Sequence, residues 1–363
     1  MLSLDAMLSD LEYLVTVESP SNDIEAITRS AGAVSDVIKR RLGHTAVLVE
    51  GPAGPHVLAR FGSSSRVLLV GHHDTVFPIG ALAARPFGVD AGRATGPGVF
   101  DMKAGIVQAI HALTLLDDLD GVEMLITADE EVGSKSSRAL IEERARACGA
   151  VLVLEPSADG GALKIGRKGT GTFEVIVHGR AAHAGLEPEK GINSLVAAAH
   201  LITRIATFGD PAKGTTVTPT VARAGTADNV VPALTTVRVD ARVIDADEKE
   251  RVEHLMSTLS SDVPGAGVEV SGGLERPPMP ESASTSLFAV ATTVAAAAGL
   301  GQLTGVSVGG GSDGNFTAAI GVPTLDGLGA VGGGAHADHE HVLVDTMVDR
   351  SRLVAAIVAD LTR

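Results

Sequence analysis

RVLLVGHHDTV (66–76) is an apolar run that ends in two histidines and an aspartate. A strand with no polar alternation belongs inside a sheet covered on both faces. The flanking sequence repeats the pattern. HVLARF (56–61), EMLITA (123–128) and AVLVLE (150–155) read as further short strands, and KAGIVQAIHALTLL (103–116) and SSRALIEERARA (136–147) as helices between them. Strands alternating with helices predict an α/β fold built on a doubly wound, mostly parallel sheet. Such sheets bind ligands beyond the carboxyl ends of their strands. His72 and Asp74 fall at that edge.

Four more stretches reach the same edge: GPGVFDMKAG (96–105), TADEEVGS (127–134), VLEPS (153–157) and GAHADHEHV (334–342). They offer Asp101, Glu131, Glu155 and His336, which join His72 as side chains of metal-ligand type, and Glu130 stands next to Glu131. Imidazole and carboxylate donors suit zinc, and two ions can share a bridging carboxylate. A glutamate beside such a centre is a natural base for activating water. Strand residues two apart share a face, so Asp74 projects with His72 and can fix its tautomer.

Each stretch also has an ordinary explanation. His-x-Asp occurs as a surface pair at strand ends. Asp101 precedes a helix, a common capping position. A lone acidic run such as Asp129-Glu130-Glu131 is most often a solvated turn. Glu155 ends a buried strand, where an ionised carboxylate needs a partner. His336, His339 and His341 cannot all serve one centre, and His336 is the candidate because it directly follows a Gly-rich turn. The coincidence favours a metal centre: separate stretches meet at one edge of one sheet.

Beyond residue 166 the pattern changes. GTGTFEVIVHG (169–179) alternates at period two, NSLVAAAHLITRIATF (193–208) is helical, and TTVTPTVARAG (215–225) and LTTVRVDARV (234–243) are strands. DEKERVEHLMSTLS (247–260) and GVEVSGG (267–273) add a helix and a strand. This β-α-β-β-α-β order predicts a ferredoxin-like α+β domain, 167–276, inserted into a first domain formed by 1–166 and 277–363. ERPPMP (275–280) reads as the return linker, followed by the helices TSLFAVATTVAAAAG (285–299) and TMVDRSRLVAAIVADL (346–361).

Bulk properties agree with an enzyme of small molecules. A chain of 363 residues allows about two domains. With 45% hydrophobic but only 2% aromatic residues and no Trp, the core is aliphatic. A net charge of −15 argues against nucleic acid or an anionic membrane as main partner. Cys148 is the only cysteine, so no internal disulfide forms, and it reads as a small buried hydrophobe. The N-terminus reads as an amphipathic helix and not a signal peptide, and no apolar run is long enough to span a bilayer. The expectation is a cytoplasmic enzyme.

At these residues the chain resembles the co-catalytic zinc metallopeptidases. That family contains glutamate carboxypeptidase, acetylornithine deacetylase, succinyl-diaminopimelate desuccinylase and the aminoacylases. The resemblance runs over essentially the whole chain. GRAAHAGLEPEKGINSL (179–195) and GGGSDGNF (309–316) are most similar to the glutamate carboxypeptidase branch. The resemblance implies two zinc ions, or cobalt or manganese on the same ligands, with Asp101 bridging. Glu131 and His336 complete one site, and His72 and Glu155 the other. Glu130 is then the general acid/base and Asp74 orients His72. The Asp101–Met102 peptide bond is expected to be cis.

The inserted domain is expected to form a homodimer. His183 would then reach a partner's site to stabilise an oxyanion. Asn229 and Arg242 match positions that hold the substrate's carboxylate. The implied activity is hydrolysis of an amide bond next to a free carboxylate, in peptides or N-acyl amino acids. An N-acyl amino acid deacylase is the near alternative. A non-catalytic ligand-binding dimer is the distant one, since Glu130 and Asp101 are both present. Lys164, Arg167 and Lys168 depart from the glutamate carboxypeptidase pattern and leave glutamate selectivity open.

Overall fold

A computed structural model describes residues 2–363. The chain divides into two compact units. One comprises the described residues up to Gly166 together with Pro280–Val308 and Ser312–Arg363. The other comprises Arg167–Met279 and Gly309–Gly311.

The first unit is built on a six-stranded sheet in the order Val47–Val49, His56–Arg60, Gly121–Thr127, Ser65–His72, Val151–Val153, Thr324–Leu325. The last four strands are parallel, and the first two form an antiparallel margin. Side chains alternate across the central strand, as period two demands. Leu69, with Met124, Ile126 and Leu152, packs with Ile106, Ile110, Val354 and Ile357 on one face. Leu68 and Val70, with Leu125 and Val151, pack with Ile141, Ala145 and Cys148 on the other. Each fully buried Leu or Ile contributes about 1.5–3 kcal/mol. Helix Ala104–Leu113 is buried at every position, so it runs inside the unit. This is the doubly wound, mostly parallel architecture expected.

The N-terminal helix forms as Leu4–Thr16. A second helix, Ile24–Leu42, lies outside the sequence reading. Its signals are nevertheless ordinary. Asp23 caps its first turn, Ile27, Ala31, Val34 and Ile38 form its buried stripe, and Gly43 ends it at a φ of 66°.

The second unit carries a four-stranded antiparallel sheet in the order Thr216–Ala224, Leu234–Val243, Gly169–His178, Gly267–Arg276. Helices Ser194–Ile205 and Ala246–Ser257 pack on it through Ala198, Leu201, Val252 and Met256. This is the ferredoxin-like arrangement. ERPPMP does not act wholly as a linker. The strand continues through buried Arg276, and Met279 pairs with Arg167.

Candidate metal centre

Strand register builds the centre. His72 lies opposite Thr127, so those two strands end level, and the third, with Val153 opposite Val70, ends two residues short of them. Beyond those ends stand Glu130, Glu131 and Glu155. Asp101 arrives on the turn before helix Ala104–Leu113, and its peptide bond to Met102 is cis. His336 arrives from the C-terminal region at a φ of 63°, a left-handed conformation that is uncommon outside glycine.

The expected ligands converge. His72 Nε2 lies 3.3 Å from Asp101 Oδ1 and 3.6 Å from Glu155 Oε1. His336 Nε2 lies 3.3 Å from Asp101 Oδ2 and 3.1 Å from Glu131 Oε2. Asp101 therefore stands between the two imidazoles, one on each oxygen. Donor atoms of His72, Glu130 and Glu155 lie within 4.8 Å of one another, as do those of His72, Asp101 and Glu131.

These residues fit divalent cations. His72 Nε2, Asp101 Oδ1 and Glu131 Oε1 are buried and make no hydrogen bond. Orphaned buried polar atoms are costly unless something outside the protein satisfies them. Charge tells the same story. Burial opposes protonation of His72, but Asp101, Asp74 and Glu155 outweigh it and hold its pKa well above the usual value. Hydrogen bonds to Asp101 and Glu131 raise His336 to about 10. Burial opposes ionisation of Asp101, yet His336 and His72 hold its carboxyl far below the usual range. Burial pushes Glu131 up. Protons on two imidazoles thus balance the carboxylates, and a divalent cation does the same while releasing them.

Asp74 organises the surroundings. His72 Nδ1 lies 3.0 Å from the main-chain oxygen of Asp74 and 3.3 Å from its Oδ1. Both partners favour a hydrogen on Nδ1, which leaves Nε2 to face the cluster.

The neighbours resolve differently. His73 is buried, contacts the Pro55 carbonyl oxygen at 3.2 Å, and is pushed down to about 4 by burial, so it is neutral. Asp129 is not grouped with the other carboxylates, and its Oδ2 accepts the Ser136 amide at 2.6 Å. His336 is the histidine of this stretch that approaches Asp101 and Glu131, while His341 Nδ1 contacts the His339 carbonyl oxygen at 3.0 Å.

The model of peptidase family M20/M25/M40 matches residues 68–360. The chain belongs to this family. Carboxypeptidase G2 from Pseudomonas sp. (strain RS-16) is 32% identical, over 98% of this chain and 89% of the relative. Succinyl-diaminopimelate desuccinylase from Wolinella succinogenes is 28% identical, over 87% of this chain and 91% of the relative. The structure of aminopeptidase PepT from Bacillus cereus superposes with a TM-score of 0.79 at 21% identity, covering 100% of both chains. As an M20/M25/M40 member the chain is a metal-dependent peptidase or amidohydrolase. No helix among the described residues is long and apolar enough to cross a membrane.

The remaining expected residues of this M20/M25/M40 chain lie in the inserted unit. His183 is exposed, and its Nδ1 accepts the amides of Gly185 at 3.1 Å and Leu186 at 3.2 Å. Nε2 therefore carries the hydrogen. Asn229 is brought beside it, since the Ala184 amide donates to the Asn229 carbonyl at 2.9 Å. Arg242 pairs with Asp240 at 3.1 Å and donates to the Gly309 carbonyl at 3.0 Å. Arg167 donates to the carbonyls of Gly310 and Gly311, both at 3.1 Å, and Lys168 to that of Gly214.

Sequence reasoning missed three supporting residues. Ser21 donates to Asp74 Oδ2 at 2.7 Å. Asp313 accepts from Thr127 Oγ1 at 3.1 Å and from Ser134, and so ties together both ends of the turn that holds Glu130 and Glu131. Glu340 binds the Asp101 turn. Asp313 lies in GGGSDGNF (309–316), where nothing local marks its role. Ser21 had no signal at all.

Proposed function

We propose that this protein hydrolyses an amide bond next to a free carboxylate, in peptides or N-acyl amino acids, in the manner of a carboxypeptidase. The observation that carries this reading is the convergence of His72, Asp101, Glu131, Glu155 and His336 on one sheet edge beside Glu130. His72 and Glu155 would hold one cation, Glu131 and His336 the other, with Asp101 placed to serve both. The donor set suits zinc, and cobalt or manganese share it. When bound, the cations acidify the attacking water and polarise the scissile carbonyl.

The chain's own residues then move protons and hold charge. Glu130 takes a proton from the attacking water and delivers it to the leaving nitrogen. Asp74 keeps Nε2 of His72 directed at the centre. His183 donates its Nε2 hydrogen to the oxyanion, a role supported by the two amides that fix its tautomer. Asn229 and Arg242 take the substrate's carboxylate. To do so Arg242 gives up a solvent-open pair with Asp240, which is worth little, and a hydrogen bond to the Gly309 carbonyl.

The functional form in this reading is a homodimer joined through the inserted unit. Helix Ser194–Ile205 exposes Leu195 and Val196, and strand Thr216–Ala224 is a sheet edge. The single cysteine, a buried thiol, suits a reducing cytoplasm.

A deacylase reading uses the same centre and differs in the acyl pocket. The desuccinylase relative favours it, as does the engagement of Arg167 and Lys168 with backbone carbonyls. The deciding experiment is amino-acid release from peptides and N-acyl amino acids, with chelator and with zinc restored. Zinc-restorable release from C-terminal glutamyl peptides supports the carboxypeptidase reading, and release only from N-acyl substrates supports the deacylase. No release from either class overturns both.

A further inference from the structure

Glu340 stands four residues after His336 and is 1% exposed. A carboxylate buried this deeply must find donors. Its donors are all main-chain amides of one turn. Oε2 accepts from Gly98 at 2.9 Å, and Oε1 accepts from Phe100 and Asp101, both at 2.8 Å.

That turn supplies only part of its own hydrogen bonding. Val99 donates to the Gly96 carbonyl and Lys103 to that of Gly98, which leaves the amides of Gly98, Phe100 and Asp101 to Glu340. The turn also packs closely against the segment that follows His72. A Cβ at Gly98, where φ is 71°, would stand 2.5 Å from Thr75 Cγ2.

Glu340 is also tied to His336. The Glu340 amide donates to the Ala337 carbonyl at 3.1 Å, and the Ala337 amide to that of Gly334 at 2.9 Å. One compact stretch, 334–340, therefore presents the His336 imidazole and grips the backbone of Asp101. The 3.3 Å approach of His336 Nε2 to Asp101 Oδ2 is set by that stretch.

We propose that Glu340 is a positioning residue that holds the Asp101 turn against the His336 stretch and thereby sets the geometry and affinity of the metal centre. This rests on the reading that Asp101 and His336 are ligands. Glu340 itself touches neither metal nor substrate; it acts through Asp101.

The test uses the full-length chain, stripped of metal and titrated with zinc against a chromophoric chelator. In E340Q the retained oxygen still accepts two amides, but an NH2 group faces the Gly98 amide. Its zinc affinity is expected to fall about 10–100-fold, the usual cost of losing such a partner. At saturating zinc, kcat falls while KM stays unchanged, and E340A loses more on both counts. A purely structural residue would lower the thermal midpoint of the metal-free protein and leave zinc affinity alone. That result overturns the proposal, as does E340Q with zinc affinity and kcat within about twofold of the parent. D101N separates the two levels of the argument. If D101N loses zinc while E340Q keeps it, only the role of Glu340 falls. If D101N keeps full zinc affinity, the metal-centre reading falls and the proposal with it.

Discussion

Asp74 Oδ1 accepts the main-chain amide of Glu130 at 3.2 Å, so the residue that orients His72 also anchors the turn carrying the proposed base. Its other oxygen accepts the Glu131 amide at 3.2 Å and the Ser21 hydroxyl at 2.7 Å. One buried carboxylate thus couples two strand ends. Burial opposes its ionisation, but His72 and Ser21 hold its pKa below the usual range. In D74N the NH2 group would face one of these amides. Zinc affinity and kcat are each expected to fall about 10–100-fold. Equilibrium metal competition and steady-state kinetics check this, and parental values for both would remove Asp74 from the centre's support.

Glu130 makes the sharpest separation between holding metal and using it. E130Q keeps shape and removes the base. Turnover is expected to fall about 10²–10⁴-fold while zinc content stays at the parental level. Metal analysis beside turnover decides the matter. Near-parental turnover would refute its role as base, and lost zinc would recast it as a ligand.

The sheet was legible because its strands are continuous apolar runs, and the candidate ligands because each follows one of those runs or stands on a Gly-rich approach. Strand ends fix direction, so the stretches carrying His72, Glu131 and Glu155 could be placed together at one sheet edge before any contact was known. Glu340 and Asp313 could not. Both act on groups far away in sequence, Glu340 on amides some 240 positions earlier and Asp313 on Thr127 and Ser134. No local signal distinguishes such a carboxylate from a surface one. The helix Ile24–Leu42 is legible in the sequence by its Asp23 cap, its apolar stripe and its closing Gly43.

His183 offers a test of assembly as well as chemistry. With Nδ1 occupied by two amides, only Nε2 is available to donate. H183A is expected to lower kcat about 10²–10³-fold with zinc content unchanged. If His183 serves a partner's site, H183A and E130Q should complement one another. After unfolding and refolding an equal mixture, half the dimers are mixed. Each mixed dimer has one site with both groups intact, so about a quarter of parental activity returns in a two-fold dimer. Activity no higher than the mean of the two variants would place His183 and Glu130 in the same subunit's site.

Glu248 fixes how the inserted unit responds to acid. Its side chain is buried and accepts from Arg251, from Lys213 at 2.9 Å and from Thr215 at 2.8 Å. Arg251 leads in pulling its pKa down to about 2. The folded value is below the unfolded one, so the stabilisation is complete above the unfolded pKa and disappears as pH falls through the folded value. The window runs from about pH 5 down to about pH 2. E248Q should unfold at a lower temperature than the parent at pH 7, and that gap should close steadily through the window. Thermal melts of both proteins from pH 7 to pH 2 measure it. A gap that stays constant on acidification would mean the ionised Glu248 carboxylate contributes nothing to stability, and that its contacts act only through shape.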